Sequence, residues 1–361
     1  MKYNVEKMIA ELCPTGVLYC EMGKLAQIGT GKSNGNEAED NGEYPFFIRS
    51  PIVKRKNCYE YDEEAIIIPG EGGVGDIFHY INGKYALHQR VYRIHFTTKD
   101  VDTRFMYYYL SANFKVFIQR KAVNATVTSI RKPMIEQFPI PLPPLPIQQE
   151  IVRILDTFTN LTAELTAELT ARRKQYEYYR DELLTFGEDV SRVQLGLVCD
   201  FKYGKGNNIP NETGEYPVYG CNGIVSTTNT FNSEDAPIIG HIGSAGVVNW
   251  GKGKHFVTYN GTICRVKADK IRSRYAYYVL NSLHLERFVK GSQPFLSYGD
   301  FSKVLIPLPP IERQDEIVRI LDQFDYFCND LTSGIPAEIS ARQKQYEYYR
   351  NQLLTFKQIG G

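Results

Sequence analysis

The sequence predicts an α+β protein: two globular α/β domains, related by a pseudo-twofold axis and joined by a long antiparallel coiled coil. Three observations carry this. The stretch from Gln148 to Phe186 contains no Gly and no Pro. Its positions spaced alternately by four and three are Ile151, Leu155, Phe158, Thr162, Leu165, Leu169, Arg172, Tyr176, Tyr179, Leu183 and Phe186, and nine of the eleven are apolar or aromatic. That is the seam of a coiled-coil helix. At about 1.5 Å per residue it is roughly 54 Å long, too long to be buried in one small domain.

The second observation is a duplication. IPLPPLPIQQEIVRILDTF and ARRKQYEYYRDELLTF in the first half recur as IPLPPIERQDEIVRILDQF and ARQKQYEYYRNQLLTF in the second. The second copy supplies a partner for the seam of the first. The third observation is the texture between these stretches, short β-rich runs cut by Gly, Asn and Pro. The order is therefore globular block 1–147, coil 148–186, globular block 187–310, coil 311–361. A second coil that pairs with the first must run back along it, so the pair is antiparallel.

Taken in order, Asn4 to Leu12 reads as an amphipathic helix with Val5, Met8, Ile9 and Leu12 on one face. It should lie near the end of the second coil. Ala65–Ile68 and Gln89–Phe96 are the clearest strands, and Asp102–Gln119 a helix. IPLPPLP reads as a stiff extended connector. The second block repeats this plan: MGKLAQIGTGK matches LGLVCDFKYGK, GEYPFF matches GEYPVY, and RFMYYYL matches RYAYYVL. Residues between these anchors differ, as between Arg49–Tyr61 and Cys221–Asn232. The second coil is interrupted at Leu331-Thr332-Ser333-Gly334-Ile335-Pro336, where Gly and Pro together break a helix. The first carries the helical tandem TAELTAEL instead.

The net charge of +1 argues nothing by itself about nucleic acid. Its distribution says more, because the two globular blocks are mildly basic and both coils mildly acidic. No run of 18 apolar residues exists, so no membrane span is expected. The N-terminus lacks the apolar core of a signal peptide. Seven scattered Cys, an odd number without a CxxC pair, fit a reducing cytoplasm.

No catalytic or metal site emerges. Gly29-Thr30-Gly31-Lys32-Ser33 imitates the end of a phosphate loop, but Ala26 stands where that loop needs Gly, and no helix follows. The Gly-rich runs Gly70–Gly75 and Gly240–Gly246 lie between strands and read as tight turns. The six His show no HExxH and no pairing with Cys. Adenine-methylating motifs are absent.

The arrangement globular–coil–globular–coil, with PLPPLPIQQEIVRILD, TAELTAELTARRKQYEYYRDELLTF and their second copies, resembles the specificity subunits of type I restriction-modification systems along the whole chain. The resemblance implies a non-catalytic subunit whose two blocks are target-recognition domains, each reading half of a split double-stranded DNA target. The coils would set the gap and dock two methyltransferase subunits, and restriction–translocase subunits would complete the complex. S-adenosylmethionine, ATP and Mg²⁺ would belong to those partners, with no cofactor on this chain. A coiled-coil assembly protein, or a silent specificity subunit, is the alternative.

Base and phosphate readout needs Arg, Lys, Asn, Gln, Ser and Thr on loops. The candidates in the first block are Lys32, Arg49, Arg90, Thr128, Ser129, Arg131 and Lys132, and in the second Lys205, Asn222, His241, Ser292, Gln293 and Lys303. The segments Thr126–Lys132 and Gly291–Tyr298 stand out, since both follow a helix and precede a coil. Coil and subunit contacts are expected from Leu155, Phe158, Leu165, Leu169, Tyr176, Tyr179 and Leu183, and from Leu321, Phe324, Tyr346, Tyr349 and Leu353. Tyr178 and Tyr348 lie off the seam, where a partner subunit would meet them.

Overall fold

The computed structural model describes residues 2–121, 129–206, 209–210, 213–267, 269–329 and 333–359. The chain divides into two units, Met1–Glu164 with Ile339–Gly361, and Leu165–Glu338.

The first unit opens with α1 (Lys2–Leu12) and β1 (Leu18–Glu21). Its centre is a six-stranded sheet of β2 (Ala26–Thr30), β3 (Tyr44–Phe47), β4 (Lys54–Lys56), β5 (Tyr61–Pro69), β6 (His79–Leu87) and β7 (Val91–Phe96), in the order β2-β7-β5-β6-β3-β4. Only β3–β6 is a parallel pair. The run Ala65–Ile68 is buried on both faces of the sheet, as a β-branched run should be. Its side chains alternate. Ile66 and Ile68 pack with Phe105, Leu110 and Phe114 of α2 (Thr103–Lys121), while Ala65 and Ile67 pack with Phe47, Tyr85 and Val91. The expected strand Gln89–Phe96 begins only at Val91, because Gln89 and Arg90 form the turn into it. After α2 come α3 (Lys132–Glu136) and β8 (Pro139–Leu142), which pairs with β1.

The second unit repeats the plan strand for strand. Here β10 (Cys199–Tyr203), β11 (Tyr216–Gly220), β12 (Gly223–Thr228), β13 (Ser233–Gly240), β14 (Val248–Val257) and β15 (Gly261–Val266) take the order β10-β15-β13-β14-β11-β12, with β11–β14 parallel. α6 (Ser273–Ser282) replaces α2, α5 (Leu195–Val198) and α7 (Tyr298–Phe301) flank the sheet, and β16 (Leu305–Pro307) pairs with β9 (Arg192–Gln194).

The first coil is the continuous helix α4 (Leu145–Leu183), which passes from the first unit into the second at Glu164. It starts inside the expected connector, since Pro146 sits in the first turn, where a missing N–H costs nothing. The first three residues of that connector, Ile140 to Leu142, belong to β8. It stops short of Phe186. The second coil is two helices, α8 (Ile311–Asn329) and α9 (Ile335–Leu353), broken where Gly334 precedes the Ile335-Pro336 start. IVRILD and KQYEYYR begin at Ile151 and Lys174 in one copy and at Ile317 and Lys344 in the other, so the second copy carries four more residues.

In the second unit α4 and α8 run antiparallel: Cys328 lies by Arg172 and Arg173, Asp325 by Tyr176, and Phe324 stacks on Tyr179 with centroids 5.5 Å apart. In the first unit the copy of that stack, Phe158 on Tyr349 at 5.3 Å, joins α4 to α9. Ile151, Leu155, Phe158, Tyr176, Leu321 and Leu353 are buried seam residues. Leu165 and Leu169, expected in the same seam, are only half-buried and Arg172 is exposed, so the seam is dry towards its two ends and wetter in the middle. Leu183, Phe324, Tyr346 and Tyr349 are half-buried, Tyr179 more exposed, and Tyr178 and Tyr348 stand off the seam at 65% and 56% exposure. In α1, Val5 is buried and Met8 and Ile9 are half-buried, but Leu12 is exposed. The segment after α1 meets the chain's end: Val17 N–H donates to the Lys357 carbonyl, and the Tyr19 hydroxyl to that of Phe356.

Two devices lock each sheet and its helix to the coil, and both are duplicated. The first is a fully buried glutamine. Gln148 Oε1 accepts from Asp102 N–H, and its Nε2 donates to the Asp100 and Pro143 carbonyls, each at 2.8 Å. Gln314 does the same with Arg272 N–H and the Lys270 and Pro309 carbonyls. A buried amide with every bond satisfied fixes geometry strongly, because any shift leaves a polar atom unpaired.

The second device is an arginine latch. Arg104 of α2 donates to Asp156 Oδ1 of α4 from Nε (3.1 Å) and Nη2 (3.0 Å), and its guanidinium lies over Tyr80, Tyr107 and Tyr108. Arg274 of α6 donates to Asp322 Oδ1 of α8 at 2.6 Å and also to Asp325, over Trp250, Tyr277 and Tyr278. Tyr108 and Tyr278 donate to Asp156 and Asp322, and burial drives both phenols far above their ordinary pKa.

Candidate functional site

In the first unit the loops at one end of the sheet gather most of the candidate residues. The loop after β2 passes so close to β7's approach that a Cβ on Gly31 would sit 1.8 Å from the Leu87 carbonyl oxygen. Glycine is therefore required for close packing there, not to cradle phosphate. Ser33 N–H donates to the Leu87 carbonyl and Gln89 N–H to the Ser33 carbonyl, which places exposed Lys32 beside the Gln89-Arg90 turn. Ile130 N–H donates to the Gly70 carbonyl, and Ser129 bridges to Glu71. Exposed Arg131 and Lys132 come directly after.

Glu71 is the hub. Its Oε2 accepts from Arg49 at 3.1 Å and from Arg90 at 3.0 Å. Two of the expected residues, Arg49 and Arg90, thus meet at one carboxylate, and a third, Ser129, pairs with the backbone of the same residue. Arg49 and Glu71 also line a 260 Å³ cavity, together with Gly35, Ile48, Gly72 and His88. Burial holds the His88 imidazole below its ordinary pKa, reinforced by the charges of Arg49 and Arg90. One acid shared by two exposed arginines leaves a net positive rim, suited to an anionic or acceptor-rich ligand. Thr128 lies outside the described residues.

In the second unit Lys205 N–H donates to the Val257 carbonyl and its side chain is exposed. Asn222 is exposed in the β11–β12 turn, next to Cys221, whose carbonyl packs under Gly240. Ser292 and Gln293 are exposed in the loop Gly291–Tyr298. Two candidates sit apart from these exposed loop positions. His241 is 1% exposed: its ring lies 4.4 Å from Tyr203, with Nδ1 3.3 Å from Thr262 Oγ1, so a ligand cannot reach it while those rings stay closed. Lys303 is exposed elsewhere, between Ser302, which accepts from Gly196 N–H of α5, and Val304, which accepts from Leu195.

The family model described as the type I restriction modification DNA specificity domain matches residues 17–172 and again 187–341. A putative type I restriction enzyme specificity subunit of Haemophilus influenzae is 31% identical over 348 residues, covering 88% of this chain and 89% of that protein. The EcoR124I/EcoR124II specificity subunit of Escherichia coli is 32% identical over 289 residues, 70% of each chain. The chain belongs to this family. The fold agrees: the crystal structure of a type I restriction-modification S subunit from M. genitalium superposes with a TM-score of 0.66 at 19% identity, covering 94% of this chain and 95% of that one.

The protein is accordingly a non-catalytic DNA-specificity subunit with two tandem specificity domains. Sequence reasoning missed its Arg104 and Arg274 latches, although both lie at the start of the matched motifs RFMYYYL and RYAYYVL. It also missed Glu71, because an acid is not an expected reader of DNA, and the rings around His241.

Proposed function

We propose that each unit of this specificity subunit reads one half of a bipartite double-stranded DNA target with the loops at one end of its six-stranded sheet. The coil sets the unread gap and docks two methyltransferase subunits, and restriction–translocase subunits join that core in the cytoplasm. S-adenosylmethionine, ATP and Mg²⁺ are taken by the partners, which carry the chemistry. One observation supports the division of labour above the others. The two units match strand for strand and share both locking devices, while the loops carrying the candidate readers differ between them. A scaffold held constant under variable loops is what two unlike readers on one spacer require. Exposed Tyr178 and Tyr348, at matched places on the two coils, are suited to meeting two like partner subunits.

The test is a block exchange. Residues 17–139 are replaced by the same block of a relative, and the methylated motif of the assembled methyltransferase is read by single-molecule sequencing. One half of the motif should change and the other persist. A motif altered in both halves, or in neither, rejects the reading.

A further inference from the structure

Backbone hydrogen bonds put the loop ends of the two units into register. Ile130 N–H donates to the Gly70 carbonyl, as Leu296 N–H does to that of His241. Gly70 N–H donates to the Arg90 carbonyl, as His241 N–H does to that of Asn260. Glu71 bridges to Ser129, as Ile242 does to Phe295. Gln89 N–H donates to the Ser33 carbonyl, as Tyr259 N–H does to that of Gly206. Thr30 and Tyr203 end the matched edge strands, opposite Tyr92 and Thr262. The short helices α3 and α7 start at Lys132 and Tyr298.

The correspondence gives a one-sided result. Thr30, Gly70, Gln89, Ser129 and Lys132 in the first unit become Tyr203, His241, Tyr259, Phe295 and Tyr298 in the second. Small or polar residues stand at every one of these places in one copy, and an aromatic ring at every one in the other. The rings form a cluster. Tyr203 lies 5.3 Å from Tyr298, and His241 lies edge-on to Tyr259 at 5.3 Å and to Phe295 at 5.8 Å. Tyr259, Phe295 and Tyr298 remain 39%, 40% and 38% exposed. Anchoring the loop does not need them, since Leu296 and Phe301 are already buried there. At the floor of the cluster His241 Nε2 is buried with no partner among the described residues. Neighbouring charge is modest: exposed Lys205, and Lys290, which pairs with Asp300.

From this we infer that the second unit reads its half-site through an aromatic platform, formed by Tyr259, Phe295 and Tyr298 over Tyr203 and His241. Its contacts are with base faces and thymine methyl groups, whereas the charged rim of Arg49, Glu71, Arg90 and Lys132 reads in the first. Exposed rings held over a buried imidazole suit a ligand that is flat and apolar on its faces, which describes a nucleobase. A docking surface for a partner protein is the competing occupant. Both copies would have to dock the same kind of methyltransferase subunit, so such a surface should be alike in the two units; these five positions differ at every place. What differs between the halves is the DNA each meets. The inference rests on the half-site reading proposed above.

The experiment uses the full chain assembled with its methyltransferase subunits, on short duplexes carrying the motif found by methylation sequencing. Affinity is compared for the intact motif, a motif scrambled in the second unit's half, and one scrambled in the first unit's half. If the wild-type complex discriminates neither, the half-site reading itself fails. If it discriminates both, Phe295→Ala with Tyr298→Ala should cut discrimination at the second unit's half by roughly ten-fold or more, on the scale of lost base–aromatic contacts. Discrimination at the first half should persist. Tyr298→Phe and Phe295→Tyr, which keep both rings, guard against misfolding and should retain most of the wild-type ratio. Two probes then divide the contact. Deoxyuridine in place of thymine weakens wild-type binding if methyl groups are touched, and 2-aminopurine away from the methylated adenine brightens on binding if a base is unstacked. Unchanged discrimination by the double variant overturns the inference, as does a wild-type complex blind to both probes. A double variant that loses methyltransferase subunits on size exclusion, yet keeps its DNA preference, assigns the platform to protein docking and overturns it too.

Discussion

The two units hold their helices to the coil in the same way and present different chemistry at their loops. Arg104 on Asp156 and Arg274 on Asp322 occupy matched places, as do the buried amides of Gln148 and Gln314. At the loop end, one unit carries a carboxylate shared by Arg49 and Arg90, and the other carries a ring cluster around His241. After duplication, positions that fix geometry had one solution, because a buried polar group tolerates no change of partner. Exposed rim positions had many, because a solvated side chain is replaced at little cost. The contrast separates the residues that hold each unit together from those it presents to solvent.

The largest test breaks the matched latches. Arg274 is 18% exposed and serves two acids, Asp325 itself 17% exposed, whereas Arg104 is 26% exposed and serves Asp156 alone. Arg274→Ala should cost about 3–5 kcal/mol, the range for stranding a buried charge. Arg104→Ala should cost less. Urea unfolding of each variant checks this, and equal losses would show that the second acid contributes nothing.

Next come the matched seam leucines. Leu155 and Leu321 are both fully buried, so Leu155→Ala and Leu321→Ala should each cost about 2–5 kcal/mol, within about 1 kcal/mol of one another. Leu169→Ala, at a half-buried place, should cost clearly less. A thermal or denaturant series that ranked Leu169 with the other two would mean the middle of the coil is as dry as its ends.

The coils differ in continuity, and a third test uses that. One further TAEL inserted at 162–169 of the unbroken helix lengthens it by about 6 Å and turns the chain beyond the insertion by roughly 40°. With DNA rising about 3.4 Å per base pair, the unread gap of the methylated motif should widen by one or two base pairs while both half-sites stay unchanged. Single-molecule sequencing of the variant's methylation gives the answer, and an unchanged gap with full activity would make the segment a loose tether.

The smallest effect is on pH. Burial holds His241 and His255 below the ordinary imidazole value. The folded state therefore binds fewer protons than the unfolded one as pH falls through about 6.5, so their contribution to stability is present above that value and lost below it. His241→Phe should flatten the acid side of the stability curve. A curve as steep as the wild type's between pH 7 and pH 5 would assign the acid loss to other groups.

Much of this was legible in the chain itself. The coil showed because a seam spaced by four and three has a period, and the duplication because near-identical motifs need no structure to be matched. Arg49, Arg90 and Ser129 could be named as exposed loop residues, but their meeting at Glu71 could not, since they come from three separate connections. His241 read as a loop polar residue, because nothing in the order of residues reveals that Tyr203 and Tyr259 close over it. The start of α4 was hidden by Pro146, whose usual meaning as a helix breaker is reversed in a first turn.

The sequence by itself determined the family, the tandem order, the coil and the place of its break, because each is a matter of period or repetition along one dimension. The tertiary structure decided which residues share a face: the Arg–Asp latches, the buried glutamines, the charged rim of one unit and the aromatic rim of the other. Those groupings join side chains tens of residues apart, and only strand order and register bring them together. The physical reason is that burial and hydrogen-bond partnership belong to neighbours in space, which the order of the chain does not list.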